Sequence, residues 1–110
     1  MDKTSLLKGH LEMCVLSILS DAKSYGYEIM KKLEENNLKL KGVSSIYPIL
    51  TKLKDQEWVV TQRELTDNGK VRVYYEITEK GRTYLQWKID EWMELQRDLT
   101  SLLQKHLEGE

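Results

Sequence analysis

The first part of the chain places its apolar residues at helical intervals. One stripe recurs every three or four positions and predicts an α-helix: Leu7, Leu11, Cys14, Val15, Ile18 and Leu19. A second helix is expected after it, with Ser24 as its cap and Ile29, Met30 and Leu33 on its inner face. The alternating residues 38–41 then predict a very short extended segment before Gly42.

A third helix is expected after Gly42. Ser44 and Ser45 are candidate caps, and the apolar residues that follow repeat with helical spacing: Ile46, Ile49, Leu50 and Leu53. Pro48 would cost about 3 kcal/mol inside a helix, but in the first turn its missing N–H matters little. The helix is therefore expected to begin at or just before Ser45.

Two eight-residue segments, 58–65 and 71–78, are rich in β-branched and aromatic residues. In the second segment Val71, Val73, Tyr75 and Ile77 share one face, while the other face carries Arg72, Tyr74 and Glu76. The connecting residues 66–70 include Asn68-Gly69, which accept the positive φ of a tight turn. These features predict a β-hairpin.

The chain is helical in pattern from Glu79 onwards, for about seven turns. Its apolar positions form a heptad-like seam, widened by Leu95 and Leu102: Leu85, Ile89, Trp92, Leu99 and Leu103. The order of three helices, a hairpin and a long helix predicts an α+β, mainly α fold. We expect a winged helix-turn-helix domain over residues 1–78 and a C-terminal dimerisation helix over residues 79–110.

Composition narrows the class of protein. The chain has 110 residues, with 40% hydrophobic and 32% charged side chains, which suits one domain with an appendage. No apolar run approaches the ~20 residues of a membrane span, and the first residues do not resemble a signal peptide. Cys14 is the only cysteine, so no intramolecular disulfide is expected. These features favour a cytoplasmic protein that does not contact a membrane.

The charge distribution is more informative than the net charge of −1. Residues 39–72 carry seven basic and four acidic side chains, while residues 79–110 carry five basic and seven acidic ones. A basic segment in a neutral protein can face DNA phosphates, although a solvated surface explains the same charges.

A winged helix places its third helix in the DNA major groove and its wing near the backbone or minor groove. Hydroxyl and ammonium groups outside the apolar stripe are therefore candidate DNA contacts. They are Ser44, Ser45, Tyr47, Thr51, Lys52 and Lys54 on the helix, Lys70 at the wing tip and Arg72 on its second strand. The alternatives are a Tyr47 half-buried against the second helix and solvated lysines.

The apolar stripe of the last helix extends roughly 27 Å, which is more than the small domain can cover. Each such side chain left in water would forgo ~1.5–3 kcal/mol, so a second copy of the chain is expected to cover the stripe. A two-fold dimer predicts inverted DNA half-sites about one turn apart. The expected interface residues are Leu6, Leu7, Leu85, Ile89, Trp92, Leu95, Leu99, Leu102 and Leu103.

Three segments resemble the PadR family of transcriptional regulators, and the similarity runs from about Leu6 to Leu103. They are Tyr25-Gly26-Tyr27-Glu28-Ile29, residues 45–53 with Tyr47-Pro48, and residues 67–81 with Tyr74-Tyr75. The resemblance, closest to the smaller subfamily with one C-terminal helix, implies a homodimeric winged-helix repressor. Two features depart from the family pattern: Ser44-Ser45 replace a small residue and threonine, and the wing is poorer in arginine.

Some PadR proteins bind flat aromatic compounds between tryptophans at the dimer centre. The resemblance therefore implies a pocket for a planar aromatic effector, formed by Trp87, Trp92, Leu11 and Val15. Large aromatic side chains around an apolar cavity favour planar ligands by stacking. Simple packing of the tryptophans in the interface is the alternative, and Trp58 is expected in the base of the wing.

Two other classes of protein compete with a DNA-binding regulator. His10 and Cys14 are four residues apart, a spacing that can place two metal ligands on one helix face, and His106 is the other histidine. A metal-responsive repressor is thus one alternative, and a winged-helix adaptor that binds protein is another. The chain has no phosphate-binding glycine loop and no nucleophile motif, so we expect neither an enzyme nor a cofactor.

Overall fold

The computed structural model describes residues 4–109, with side chains from Leu6 onwards. Residues 1–3 and 110, which the domain prediction includes, lie outside this range. The helices are α1 (Thr4–Leu7), α2 (Leu11–Asp21), α3 (Gly26–Glu35), α4 (Tyr47–Asp55) and α5 (Glu79–Leu107). The strands are β1 (Ser24–Tyr25), β2 (Val59–Leu65) and β3 (Val71–Ile77), and short 3₁₀ turns occupy Lys8–His10 and Val43–Ser45. The mainly helical α+β fold is confirmed.

The core lies around α2, which packs against α3, α4, α5 and β3. Val15 and Leu19 are fully buried, as their stripe predicts. Leu16 is also fully buried, although it does not belong to that stripe. A helix that is surrounded by other elements buries more than one face, and only the tertiary arrangement shows this.

Ser24 does not cap α3, contrary to the prediction. It is buried in β1, which pairs with β3 in the antiparallel register Ser24↔Tyr75 and Tyr25↔Tyr74, giving the sheet order β1-β3-β2. Tyr25 occupies the cap position of α3 in an extended conformation. A segment of two residues is too short to show alternation, so the sequence does not predict this strand.

The helix α4 begins two residues later than expected. Ser45 lies in the preceding 3₁₀ turn, where its hydroxyl donates to the Gly42 carbonyl at 2.5 Å. Tyr47 is the first residue of α4 and Pro48 lies in its first turn, where the missing N–H is harmless. The extended segment predicted at residues 38–41 is absent, because these residues form an irregular loop that buries Leu40.

The β-hairpin is confirmed. The strands β2 and β3 pair from Val59↔Ile77 to Leu65↔Val71. At its tip the Thr66 N–H donates to the Lys70 carbonyl at 2.8 Å, and Gly69 has the positive φ of 77° that the turn requires. The base of the hairpin joins the core, whereas Leu65 and Val71 are exposed, so the hairpin projects as a wing.

The long helix α5 starts at a well-defined cap. The Thr78 hydroxyl accepts the Gly81 N–H at 3.0 Å and donates to the Glu57 carbonyl at 2.7 Å. A Cβ on Gly81 would collide with the Trp58 carbonyl oxygen, so only glycine permits α5 to approach the hairpin this closely. No helix within residues 4–109 is long and apolar enough to cross a membrane.

The second half of α5 extends beyond the rest of the molecule. Leu85 is buried, but every residue from Met93 to Gly109 is exposed. The radius of gyration is 16.4 Å, whereas a compact chain of this length would have about 13 Å. The protruding helix accounts for the difference.

Candidate nucleic-acid interface

A cleft of about 420 Å³ separates α4 from the wing. Tyr47 and the first residues of α3 line one side, and the wing residues Lys70 and Arg72 line the other. The fold therefore brings together three of the predicted DNA contacts, although Tyr47 is more than 20 residues away from Lys70 and Arg72 in the sequence.

Tyr47 packs against the start of α3 and also reaches solvent. An added Cβ at Gly26 would lie only 3.1 Å from the Tyr47 hydroxyl oxygen, so the glycine makes room for the ring. The side chain of Tyr47 is still 48% exposed. Tyr47 therefore packs on α3, the second predicted helix, while about half of the residue remains exposed. Burial raises the pKa of the nearby Tyr75, and Tyr47 adds to this effect.

The other candidate residues of α4 and its leading turn divide into two groups. Ser44, Ser45, Thr51 and Lys54 are exposed, and Lys54 makes no ion pair within the described chain. Lys52 instead lies with its Nζ 2.8 Å from Oε1 of Glu12 on α2.

Glu12 joins Lys52 to α5. Its second carboxylate oxygen accepts the Tyr84 hydroxyl at 3.4 Å. The hydrogen bond from Lys52 to Glu12, with the charge of that carboxylate, raises the pKa of the lysine. Burial raises the pKa of Tyr84, to which the charge of Glu12 contributes. The carboxylate of Glu12 therefore compensates part of the positive charge of Lys52. The sequence did not predict this ion pair.

The two basic residues of the wing have different surroundings. Lys70 is exposed at the tip, while the Arg72 guanidinium lies 4.2 Å from the ring centroid of Tyr25. No carboxylate of residues 6–109 lies within ion-pair distance of either cation. Both residues can offer their charge to a ligand.

A second cavity, of about 310 Å³, lies between α2, the end of α3 and α5. Its lining is mostly apolar: Met13, Cys14, Ile18, Leu33, Leu38, Ile89 and Trp92, with Ser17 and Asn36. Burial raises the pKa of the Cys14 thiol, so the cysteine is a neutral apolar contact near pH 7.

Of the four residues predicted for an effector pocket, only Trp92 lines this cavity. Leu11 and Val15 are buried in the core on a neighbouring stripe of α2. Trp87 is 58% exposed and lies near Tyr84, which stacks on Trp58 at a centroid distance of 3.6 Å. Cys14 and Ile18 of the first apolar stripe line this cavity and also pack against the core, as the stripe predicts.

The predicted interface residues fall into three groups. Leu6, Leu95, Leu99, Leu102 and Leu103 are exposed, as is Leu107, which the prediction omitted. Ile89 and Trp92 are partly buried. Leu7 and Leu85 belong to the core of this chain and leave little surface for a partner.

The candidate metal ligands do not converge in the described part of the chain. Among residues 4–109, no three side chains of histidine, cysteine, aspartate or glutamate lie close enough together to hold a metal ion.

Comparisons with known proteins show which family this chain resembles. A sequence model of the transcriptional regulator PadR-like family matches residues 15–87. The crystal structure of a PadR-like transcriptional regulator from Bacillus cereus is 33% identical, with a TM-score of 0.81, and the match covers 91% of this chain and 97% of that one. A PadR family regulator from Eggerthella lenta is 28% identical, with a TM-score of 0.82, over 90% of this chain and 86% of its own.

A relative of similar length is an uncharacterized protein of Lysinibacillus sphaericus. It is 29% identical over 98% of this chain and 100% of its own length. The matched region includes the cleft, the wing and the start of α5.

Proposed function

This chain belongs to the PadR-like family of transcriptional regulators, and on that premise we propose that it is a homodimeric repressor released from DNA by a small aromatic or hydrophobic effector. The family consists of DNA-binding transcriptional regulators, so the chain is a DNA-binding regulator and not an enzyme. Repression, the dimer and the effector are the proposed parts. A cytoplasmic location, where bacterial DNA lies, is part of the same proposal.

The observation that carries the proposal is the cleft between α4 and the wing. It holds Tyr47, Lys70 and Arg72 around one open surface. In the proposed complex α4 enters the major groove with Thr51 and Lys54, and its leading 3₁₀ turn adds Ser44 and Ser45, while Lys70 and Arg72 contact phosphates. Lys52 contacts DNA only when it leaves Glu12.

The exposed second half of α5 supports the proposed dimer. Five leucines of one helix reach solvent there, and a second copy of the chain offers the same surface in return. Residues 1–78 would then form the DNA-binding domain and residues 79–110 the dimerisation helix. The two-fold axis predicts an operator with inverted half-sites about one DNA turn apart.

The cavity at Trp92 supports the proposed effector. It is lined by apolar side chains and one indole, which suits a planar aromatic molecule. Its walls belong to α2, α3 and α5, so an occupant contacts both the DNA-binding domain and the dimerisation helix. This arrangement is the physical basis for release.

Fluorescence anisotropy with a labelled DNA duplex tests the function. The duplex is selected from a randomised pool by the protein itself, and binding is measured at several salt concentrations. We expect affinity to fall steeply as salt rises, and Lys70→Ala with Arg72→Ala to reduce the slope of log K against log salt by about 2. A failure to bind any duplex at low salt would favour the protein-binding adaptor.

Tryptophan fluorescence tests the effector. Planar aromatic compounds should quench the emission and lower DNA affinity, and Trp92→Leu should abolish both effects. Trp87→Leu is the matched control, since Trp87 lies outside the cavity. Quenching that survives in Trp92→Leu would place the binding site elsewhere.

A further inference from the structure

The motif Tyr25-Gly26-Tyr27 stands at the junction of β1 and α3, and the function proposed above assigns no role to its first residue. Gly26 accommodates the Tyr47 ring. The Tyr25 ring lies under the guanidinium of Arg72 on the wing. We propose that Tyr25 is a positioning residue, which holds the Arg72 guanidinium at the edge of the cleft for contact with a DNA phosphate. This inference rests on the proposed DNA-binding function.

The pairing of β1 with β3 brings the two side chains together. Tyr25 lies directly opposite Tyr74, and Arg72 precedes Tyr74 by two residues on the same face of β3. The Tyr25 ring meets the Tyr74 ring edge-on, with 5.5 Å between centroids. The guanidinium of Arg72 lies 4.2 Å from the centroid of Tyr25. A planar guanidinium at this distance is attracted to an aromatic ring.

The nearest carboxylate on the sheet is occupied by another cation. Glu64 is the cross-strand partner of Arg72 in β2, where an opposite charge would normally form an ion pair. Lys23 takes its place instead, with Nζ 3.1 Å from Glu64 and 3.2 Å from the Gln62 side-chain oxygen. Lys23 also lies 5.3 Å from the Tyr74 centroid. Arg72 is thus left with aromatic rings as its neighbours.

An aromatic platform has a specific advantage for binding an anion. A carboxylate would occupy the N–H donors of the guanidinium and cancel its charge, whereas a ring contacts its face and leaves the edge donors available. The ring also restricts a long side chain that would lose conformational entropy on binding. Tyr25 therefore prepares Arg72 for a phosphate without competing with it.

A double-mutant cycle tests the inference with a duplex that the wild-type protein selects from a randomised pool. The proteins are wild type, Tyr25→Leu, Tyr25→Phe, Arg72→Ala and the pair Tyr25→Leu/Arg72→Ala. We expect Tyr25→Leu to weaken DNA binding about 2- to 5-fold, as an exposed cation–π contact allows. Tyr25→Phe keeps the ring and should bind as the wild type does. In the Arg72→Ala background, Tyr25→Leu should have no further effect.

The controls separate this inference from the function on which it rests. Arg72→Ala should lower the salt slope by about 1, whereas Tyr25→Leu should leave it unchanged because the charge remains. An equal loss from Tyr25→Leu with and without Arg72 would overturn the positioning role and leave DNA binding intact. Unchanged DNA affinity of Tyr25→Leu or of Arg72→Ala would also overturn the positioning role. Absence of binding by the wild type would overturn both proposals.

Thermal unfolding of each variant shows whether the substitution leaves the protein folded. If Tyr25→Leu does not fold, Arg72→Lys replaces it, since lysine keeps the charge and loses the planar face. We then expect the same 2- to 5-fold loss with an unchanged salt slope. Wild-type affinity in Arg72→Lys would overturn the inference.

Discussion

The two halves of α5 have the same apolar periodicity but very different surroundings. In the half from Glu79 to Trp92, Gly81 and Leu85 are buried against the hairpin and core, and Ile89 and Trp92 are partly covered. In the half from Met93 to Leu107, every residue is exposed, including five leucines. A stripe at helical spacing therefore indicates that a surface will be covered, but not whether the same chain covers it.

The contrast has an energetic consequence. An isolated helix of about 15 residues is marginally stable in water, and most helical stability in proteins comes from packing of the apolar face. The first half of α5 has that packing within the chain. The second half depends on continuity with the first half and, in the proposed dimer, on a partner helix.

The largest expected effect is on the second half of α5. Replacing Leu99→Asp and Leu103→Asp together should raise the dimer dissociation constant at least about 100-fold, because two charges from each protomer would be buried in the proposed interface. Sedimentation equilibrium measures this change. Ser101→Asp, on the opposite face of the helix, is the control and should leave the dimer intact. A wild-type protein that sediments as a monomer would contradict the proposal that a partner chain covers the second half of α5.

The next effect concerns the first half of α5. Gly81→Ala should lower the free energy of unfolding by about 1–3 kcal/mol, because the added Cβ meets the Trp58 carbonyl and forces the helix away from the hairpin. Urea denaturation measures the loss. Gly9→Ala is the matched control, since nothing lies within 4 Å of its added Cβ. Equal stability of both variants would contradict the close approach.

A smaller effect is expected from Glu12, which connects the first half of α5 to α4 through Tyr84 and Lys52. Glu12→Gln should tighten DNA binding about 2- to 5-fold at low salt, because it frees Lys52 and removes a charge that repels phosphate. Anisotropy at several salt concentrations measures the change. Glu34→Gln, on the exposed side of α3, is a control for the charge alone. Weaker binding by Glu12→Gln would mean that Glu12 orients Lys52 rather than restrains it.

The smallest effect is at Cys14, which faces Ile89 and Trp92 where the two halves of α5 meet. Burial disfavours the thiolate and raises the thiol pKa, so at a given pH less thiolate is present than in a free cysteine. We expect alkylation by iodoacetamide to be slower than in an unstructured peptide at pH 8. The rate should still rise at pH values where the peptide has levelled off. Mass spectrometry follows the labelling, and a rate equal to that of the peptide would contradict the burial.

Much of the architecture was predictable from local patterns. The hairpin followed from alternation and the Asn68-Gly69 turn, and the last helix from a long heptad-like repeat. The strand β1 was missed because two residues show no period, and Ser24 was consequently mistaken for a cap. The start of α4 was displaced because Ser45 bonds to Gly42 in a 3₁₀ turn, an arrangement that competes locally with helix capping.

The candidate site was predictable in its residue types but not in its contacts. Tyr47, Lys70 and Arg72 were expected near DNA, and the fold places them around one cleft. The ion pair of Lys52 with Glu12 and the contact of the Arg72 guanidinium with the Tyr25 ring were not expected. Each joins residues 40 or more positions apart, and no local periodicity encodes such a contact.

The sequence by itself determined the elements, their order and which of their faces are apolar, because these follow from backbone geometry and residue spacing. The tertiary structure alone decided which apolar stripe is covered within the chain, which cations remain unpaired and which side chains surround a cavity. The physical reason is that burial and electrostatic pairing depend on distances across the fold, and these distances are set when distant segments pack together.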